Sequence, residues 1–330
     1  MPTVDRNGRS LYYEWTAAGT PELADVSTEV GRPSMATGRG DPPSFDGEEP
    51  PVVLCSTLGV GPWSVRWQWD GLAADWDVIA PAVRGTGRLT ARPDGGVRNE
   101  IPADRSDDGL GPVVPRLPGP LRRRLTGPVG GYSIDGLAAD VEAILEDVEC
   151  PAVHLVGTGL GGAVALSYAL EFDRATTLTL VGTSAGGDVP PVLPDEVREQ
   201  VLDPDGATAV ARERDRLRAY FGDPFVARNP HFLDRLCTWQ AHQGPSKSIL
   251  EAQTATWRRF DVDERVPDLR LPTLVVHGRD DRIVPFECGE ALASARLGGA
   301  FEPIDGCGHL VGVERPATVT GRIHSFLEEQ

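Results

Sequence analysis

The segment Ala152–Ala163, Ala-Val-His-Leu-Val-Gly-Thr-Gly-Leu-Gly-Gly-Ala, commits the chain to a strand that turns sharply into a helix. Val153-His154-Leu155-Val156 is mostly apolar and too short for a buried helix before Gly157 interrupts it, so it reads as a core strand. Gly157, Gly159, Gly161 and Gly162 then mark a turn where backbones approach closely, and Ala163-Val164-Ala165-Leu166 opens a helix. Such a βα unit implies a mostly parallel sheet covered by helices. Two frames fit the glycines. Gly157-Thr158-Gly159-Leu160-Gly161-Gly162 satisfies G-x-G-x-x-G, the phosphate loop of dinucleotide-binding folds. That frame needs an acid about 20 residues on, at the end of the next strand. The next strand, Leu178–Val181, ends instead in Gly182-Thr183-Ser184, which favours the second frame.

The second frame is the G-x-S-x-G nucleophile elbow, with Gly157 and Gly161 in register and Gly159 where the serine stands. Two downstream motifs accompany it. Leu274–Val276 is a β-branched strand that runs through His277 into Gly278-Arg279-Asp280-Asp281, and Ile304-Asp305-Gly306-Cys307-Gly308-His309 ends a second strand in a Gly-His pair. Nucleophile, acid and histidine in that chain order resemble the α/β-hydrolase superfamily over roughly residues 50–184 and 262–330. Val53-Leu54-Cys55-Ser56-Thr57-Leu58-Gly59 and Arg84-Gly85-Thr86-Gly87 look nearest to its 3-oxoadipate enol-lactonase branch.

The resemblance implies an α/β fold, a mostly parallel central sheet flanked by helices, with a helical cap. It divides the chain into a core, 1–184 and 261–330, and a cap, 185–260. It puts the triad acid at Asp281, the base at His309, the nucleophile position at Gly159, and oxyanion-binding backbone N–H groups at Thr57 and Leu160. Glycine offers no side chain to attack a carbonyl, yet it adopts the strained elbow angles that cost other residues about 1–3 kcal/mol. Thr158, Cys55 and Cys307 are the side chains weighed as substitutes, and each reads more simply as a packed residue. Two functions follow. One is a hydrolase of a small ester or lactone in which His309, oriented by Asp281, activates water. The other is a non-catalytic hydrolase-fold protein that binds a ligand or partner under the cap.

Composition narrows the partners. The formal net charge is −17, and all 32 basic residues except Lys247 are arginine. An acidic surface disfavours nucleic acid, and nearly lysine-free acidity suits a cytosol of high salt. No apolar run approaches the ~20 residues of a membrane helix, and no signal-peptide core is evident. Five scattered cysteines predict reduced thiols and a cytoplasmic protein, and no metal-ligand spacing or cofactor motif remains.

Val4–Tyr13 predicts a hairpin turning at Asn7-Gly8. Residues 20–50 and 92–131 read as loop insertions, the second carrying Arg122-Arg123-Arg124, a basic run that reads as a solvated patch or an anion attractor. Pro51–Leu54 and Trp76–Pro81 predict strands with a helix over Trp63–Ala74 between them. Ser133 predicts the N-cap of a helix whose apolar positions run from Ile134 to Val148. Ala209–Tyr220 and Phe232–His242 predict cap helices, and Val319, Ile323, Phe326 and Leu327 one face of a terminal helix.

Overall fold

The computed structural model describes residues 3–6, 9–19, 45, 49–86, 132–295 and 299–330. The expected insertions at 20–50 and 92–131 therefore lie outside the described residues, except for 45, 49 and 50, as do the Asn7-Gly8 turn and Arg122–Arg124. Among the described residues, eight strands form one sheet: β1 (Thr3–Arg6), β2 (Arg9–Thr16), β3 (Val52–Cys55), β4 (Val78–Pro81), β5 (Val153–Thr158), β6 (Ala175–Val181), β7 (Thr273–Gly278) and β8 (Ala300–Ile304). Their spatial order is β1-β2-β4-β3-β5-β6-β7-β8. The first two pairings are antiparallel and the rest parallel. Strands β3, β4 and β7 are buried along their whole length, as central parallel strands with covered faces must be.

Helices cover both faces. On one side α2 (Ile134–Asp147) and α3 (Leu160–Glu171) pack against each other and the sheet; on the other, α1 (Arg66–Leu72) packs on the terminal helix (Pro316–Glu328). Trp69, Leu72, Val319, Ile323 and Phe326 form the second core with the apolar side chains Val52, Leu54 and Val78. The Ser133 cap forms as expected, its hydroxyl accepting from Gly136 N at 3.0 Å. The helix expected over Trp63–Ala74 divides instead into a 3-10 turn, Pro62–Val65, and α1. Gly61-Pro62 starts the segment in a tight turn, with Ser64 N donating to Gly61 O, before the α-helical pattern takes over.

Between β6 and β7 lies the helical cap: α4 (Asp195–Leu202), α5 (Ala209–Arg218), α6 (Asp223–Arg228), α7 (Pro230–Gln243) and α8 (Lys247–Trp257). Within it Phe221 and Trp257 are buried, and Phe225, Trp239 and Phe260 pack against the main core. After β7 come α9 (Phe286–Ala295), then β8, the single turn α10 (Val311–Glu314) and the terminal helix, α11.

Candidate active site

Gly159 caps α3 with φ 54° and ψ −116°, angles that a residue bearing a Cβ adopts only under strain. Its N–H donates to Val181 O at 2.8 Å and its carbonyl accepts from Thr183 Oγ1 at 2.7 Å, which pins the turn to the end of β6. The other glycines are consumed by packing. A Cβ on Gly157 would collide with the Gly161 carbonyl, one on Gly161 with the Cys55 carbonyl, and one on Gly162 would come 2.6 Å from Thr183 Cβ. The G-x-G-x-x-G spacing thus serves close approach between the turn and its own neighbours.

Asp281 follows β7 and His309 follows β8, so both reach the carboxyl ends of the strands, where open α/β sheets bind ligands. His309 is fully buried, and its Nδ1 lies 2.8 Å from Asp281 Oδ2. Asp281 Oδ1 accepts from Ile283 N and Val284 N, each at 2.8 Å, and His277 Nε2 stands 3.4 Å from Oδ2. Burial pushes the Asp281 carboxyl up, but attraction to His309 and hydrogen bonds from His277 and His309 outweigh it and hold it at about 2. An ionised carboxylate only accepts, so Nδ1–H donates to it, and in the neutral imidazole of that tautomer Nε2 carries the lone pair.

That lone pair faces Thr57. Its hydroxyl Oγ1 lies 2.8 Å from His309 Nε2, on the loop after β3, and the residue is 1% exposed. The sequence points to the Thr57 backbone amide; the structure adds the side chain, fitted against the bare elbow. A Cβ on Gly159 would overlap Thr57 Oγ1 and approach His309 Nε2 to 2.6 Å. Among the described residues, neither the Thr57 nor the Leu160 amide donates a backbone hydrogen bond, Leu160 being the first residue of α3.

The alternative side chains stand apart. Thr158 ends β5, half-buried, with no hydrogen bond to His309 among the described residues. Cys55 lines a small cavity with Leu137 and Val141 of α2, and burial pushes its thiol up to about 12. Burial likewise pushes Cys307 up to about 11, so neither offers a thiolate near neutral pH.

Three further residues hold the site together, and nothing in the local sequence announces them. Gln240 of α7, buried, donates to Gly59 O at 2.5 Å and accepts from Gly61 N and Trp63 Nε1 at 3.2 and 3.0 Å. Tyr220 donates to Leu58 O at 3.1 Å while its ring meets that of His309 edge-on. Glu314 accepts from Gly308 N at 2.7 Å and Gly222 N at 3.1 Å, tying the histidine loop to the cap. Burial raises its carboxyl to about 7, against the pull of those two amides. The unfolded chain ionises this group near 4.5, so its contribution to stability is complete below that and is lost as pH rises to about 7. Glu314→Gln, which stays neutral, is expected to match wild type in urea unfolding near pH 4.5 and exceed it by about 2–3 kcal/mol at pH 8. An unchanged difference between the two pH values would rule this out.

Residues 52–322 match the α/β-hydrolase family, on a mostly parallel sheet flanked by helices. The chain belongs to the α/β-hydrolase family. It is 25% identical to the 2-hydroxy-6-oxo-2,4-heptadienoate hydrolase of Pseudomonas putida, over 92% of this chain and 99% of that one. Its fold is similar to the enol-lactonase of Burkholderia xenovorans, with a TM-score of 0.69 and 20% identity over 99% of this chain and 100% of the other. It is also similar to a meta-cleavage product hydrolase from Pseudomonas fluorescens, with a TM-score of 0.68 and 18% identity over 100% and 98%. No described helix of this α/β-hydrolase is long and apolar enough to cross a membrane.

Proposed function

We propose that this protein hydrolyses a small ester or lactone, with His309 as the base and Asp281 as the residue that orients it. The supporting observation is the polarity of the relay: Nδ1 is 2.8 Å from Asp281 Oδ2, and Nε2 is 2.8 Å from a hydroxyl. An imidazole so held withdraws a proton from an attacking O–H and returns it to a leaving group. The amides of Thr57 and Leu160 are the donors for the oxyanion, Leu160 from the positive end of α3. In its direct form the attacking group is water, as position 159 carries no side chain. Without a covalent step, oxyanion stabilisation and binding supply about 10³–10⁴-fold over water, which suits strained lactones and activated esters better than amides. The 25% identity to a 2-hydroxy-6-oxo-2,4-heptadienoate hydrolase supports a hydrolytic role.

A second reading, a protein that binds a small molecule or a partner under the cap without turning it over, is favoured by the burial of Thr57 and His309 beneath Tyr220 and Trp257. Turnover separates the two. Wild-type protein is expected to hydrolyse an activated aryl ester or an enol-lactone, with kcat/KM at least a hundredfold lower in His309→Ala. Equal rates in the two proteins, or none in either, would overturn the hydrolytic reading.

A further inference from the structure

We propose that Thr57 is the covalent nucleophile, a threonine on the loop after β3 that takes the role the elbow leaves unfilled. The inference rests on the hydrolytic reading and specifies its attacking group. Three observations carry it. Thr57 Oγ1, His309 and Asp281 form a continuous relay, with 2.8 Å at each step. The space at Nε2 is shared by positions 57 and 159: a Cβ on Gly159 would overlap Thr57 Oγ1, so a side chain at one excludes the present rotamer at the other. The loop is also held rigidly. Tyr220 grips Leu58 O, and Gln240 bonds Gly59 O and Gly61 N. A nucleophile needs such support, because attack depends on sub-ångström placement.

The chemistry balances without any further reagent. His309 Nε2 takes the Thr57 hydroxyl proton as Oγ1 bonds the ester carbonyl carbon, and the carbonyl π pair moves onto its oxygen. Collapse of this oxyanion expels the alkoxide, which takes the proton back from Nε2 and leaves an acyl ester on Thr57. Water then adds to that ester, giving its proton to His309, and Oγ1 departs and recovers it. The sum is ester plus water to acid plus alcohol. In serine proteases the nucleophile's own amide is one of the two oxyanion donors, so the Thr57 N–H can keep the part assigned to it above. The second donor is Leu160 N–H, across the elbow.

A fluorophosphonate reacts with an activated hydroxyl and stays attached, so the full-length protein can be labelled and its adduct mapped by peptide mass spectrometry. One phosphonate per chain is expected, on the peptide carrying Thr57. Labelling should slow at least a hundredfold in His309→Ala, persist in Thr57→Ser and be absent in Thr57→Val, each variant first shown to melt cooperatively. An adduct on any other residue overturns the proposal, as does Thr57→Val labelled at the wild-type rate. Ester turnover that requires His309 but is untouched by Thr57→Val, with no adduct, assigns the attack to water; the hydrolytic reading then survives and this one does not. Neither adduct nor turnover in folded wild type removes both. Because the wild-type adduct is itself diagnostic, misfolding of a variant leaves the result readable.

Discussion

Gly159→Ser is expected to destabilise the protein by about 2–6 kcal/mol. The backbone at 159 sits at φ 54°, where a Cβ costs about 1–3 kcal/mol. The same Cβ overlaps Thr57 Oγ1 and stands 2.6 Å from His309 Nε2, an overpacking that adds about 1–3 kcal/mol. The overlap is relieved by removing the hydroxyl opposite. Gly159→Ser combined with Thr57→Ala should therefore be more stable than the two separate losses predict, with a coupling of about 1–3 kcal/mol in a double-mutant cycle read by urea unfolding. The double variant again offers Nε2 a hydroxyl, now from the helix side, and should hydrolyse an aryl ester faster than either single variant. Additive losses would mean that the two positions do not compete for one space.

Asp281→Ala should cost about 3 kcal/mol or more at neutral pH, because buried donors lose their acceptor at about 1–3 kcal/mol each. The carboxylate answers the Ile283 and Val284 amides and the His309 Nδ1–H, and alanine leaves all three without it in a dry interior. The pH dependence identifies the cause. The Asp281 carboxyl is held at about 2 against an ordinary 3.8, so its stabilisation is present above 3.8 and is lost as pH falls through about 2. The gap between wild type and Asp281→Ala should consequently narrow by about 1–2 kcal/mol as urea unfolding is repeated from pH 7 down to pH 2.5. A constant gap across that range would assign the loss to packing alone.

How much of this site the sequence discloses depends on how local each cause is. Ser133 capping α2 is a contact across three positions, and its hydroxyl accepts from Gly136 N as the pattern requires. Asp281 and His309 each follow a strand within a short Gly-containing signature, so local sequence and chain order pick them out. The hairpin pairing of β1 with β2 is legible for the same reason. Thr57 is different. Its place in the loop after β3 follows from spacing, but where its hydroxyl points depends on what position 159 lacks, far along the chain. Gln240, Tyr220 and Glu314 are less legible still, because a single Gln or Glu in a helix carries no periodic or motif signal. The cap shows the same limit: two of its helices, α5 and α7, fall on stretches that read as helical, whereas the short α4 and α6 do not stand out from the sequence around them.

Gln240 has a consequence for anyone who would re-engineer this protein. Cap exchange between hydrolases treats the helices as an interchangeable part bolted to a constant frame. Here one amide in α7 supplies the partners of Gly59 O, Gly61 N and Trp63 Nε1, all in the frame. A graft lacking an amide at that position would strand three polar groups in the interior and loosen the loop that carries Thr57. The seam between cap and frame therefore runs through the loop beside Thr57, and a chimera must be designed from position 240 outward.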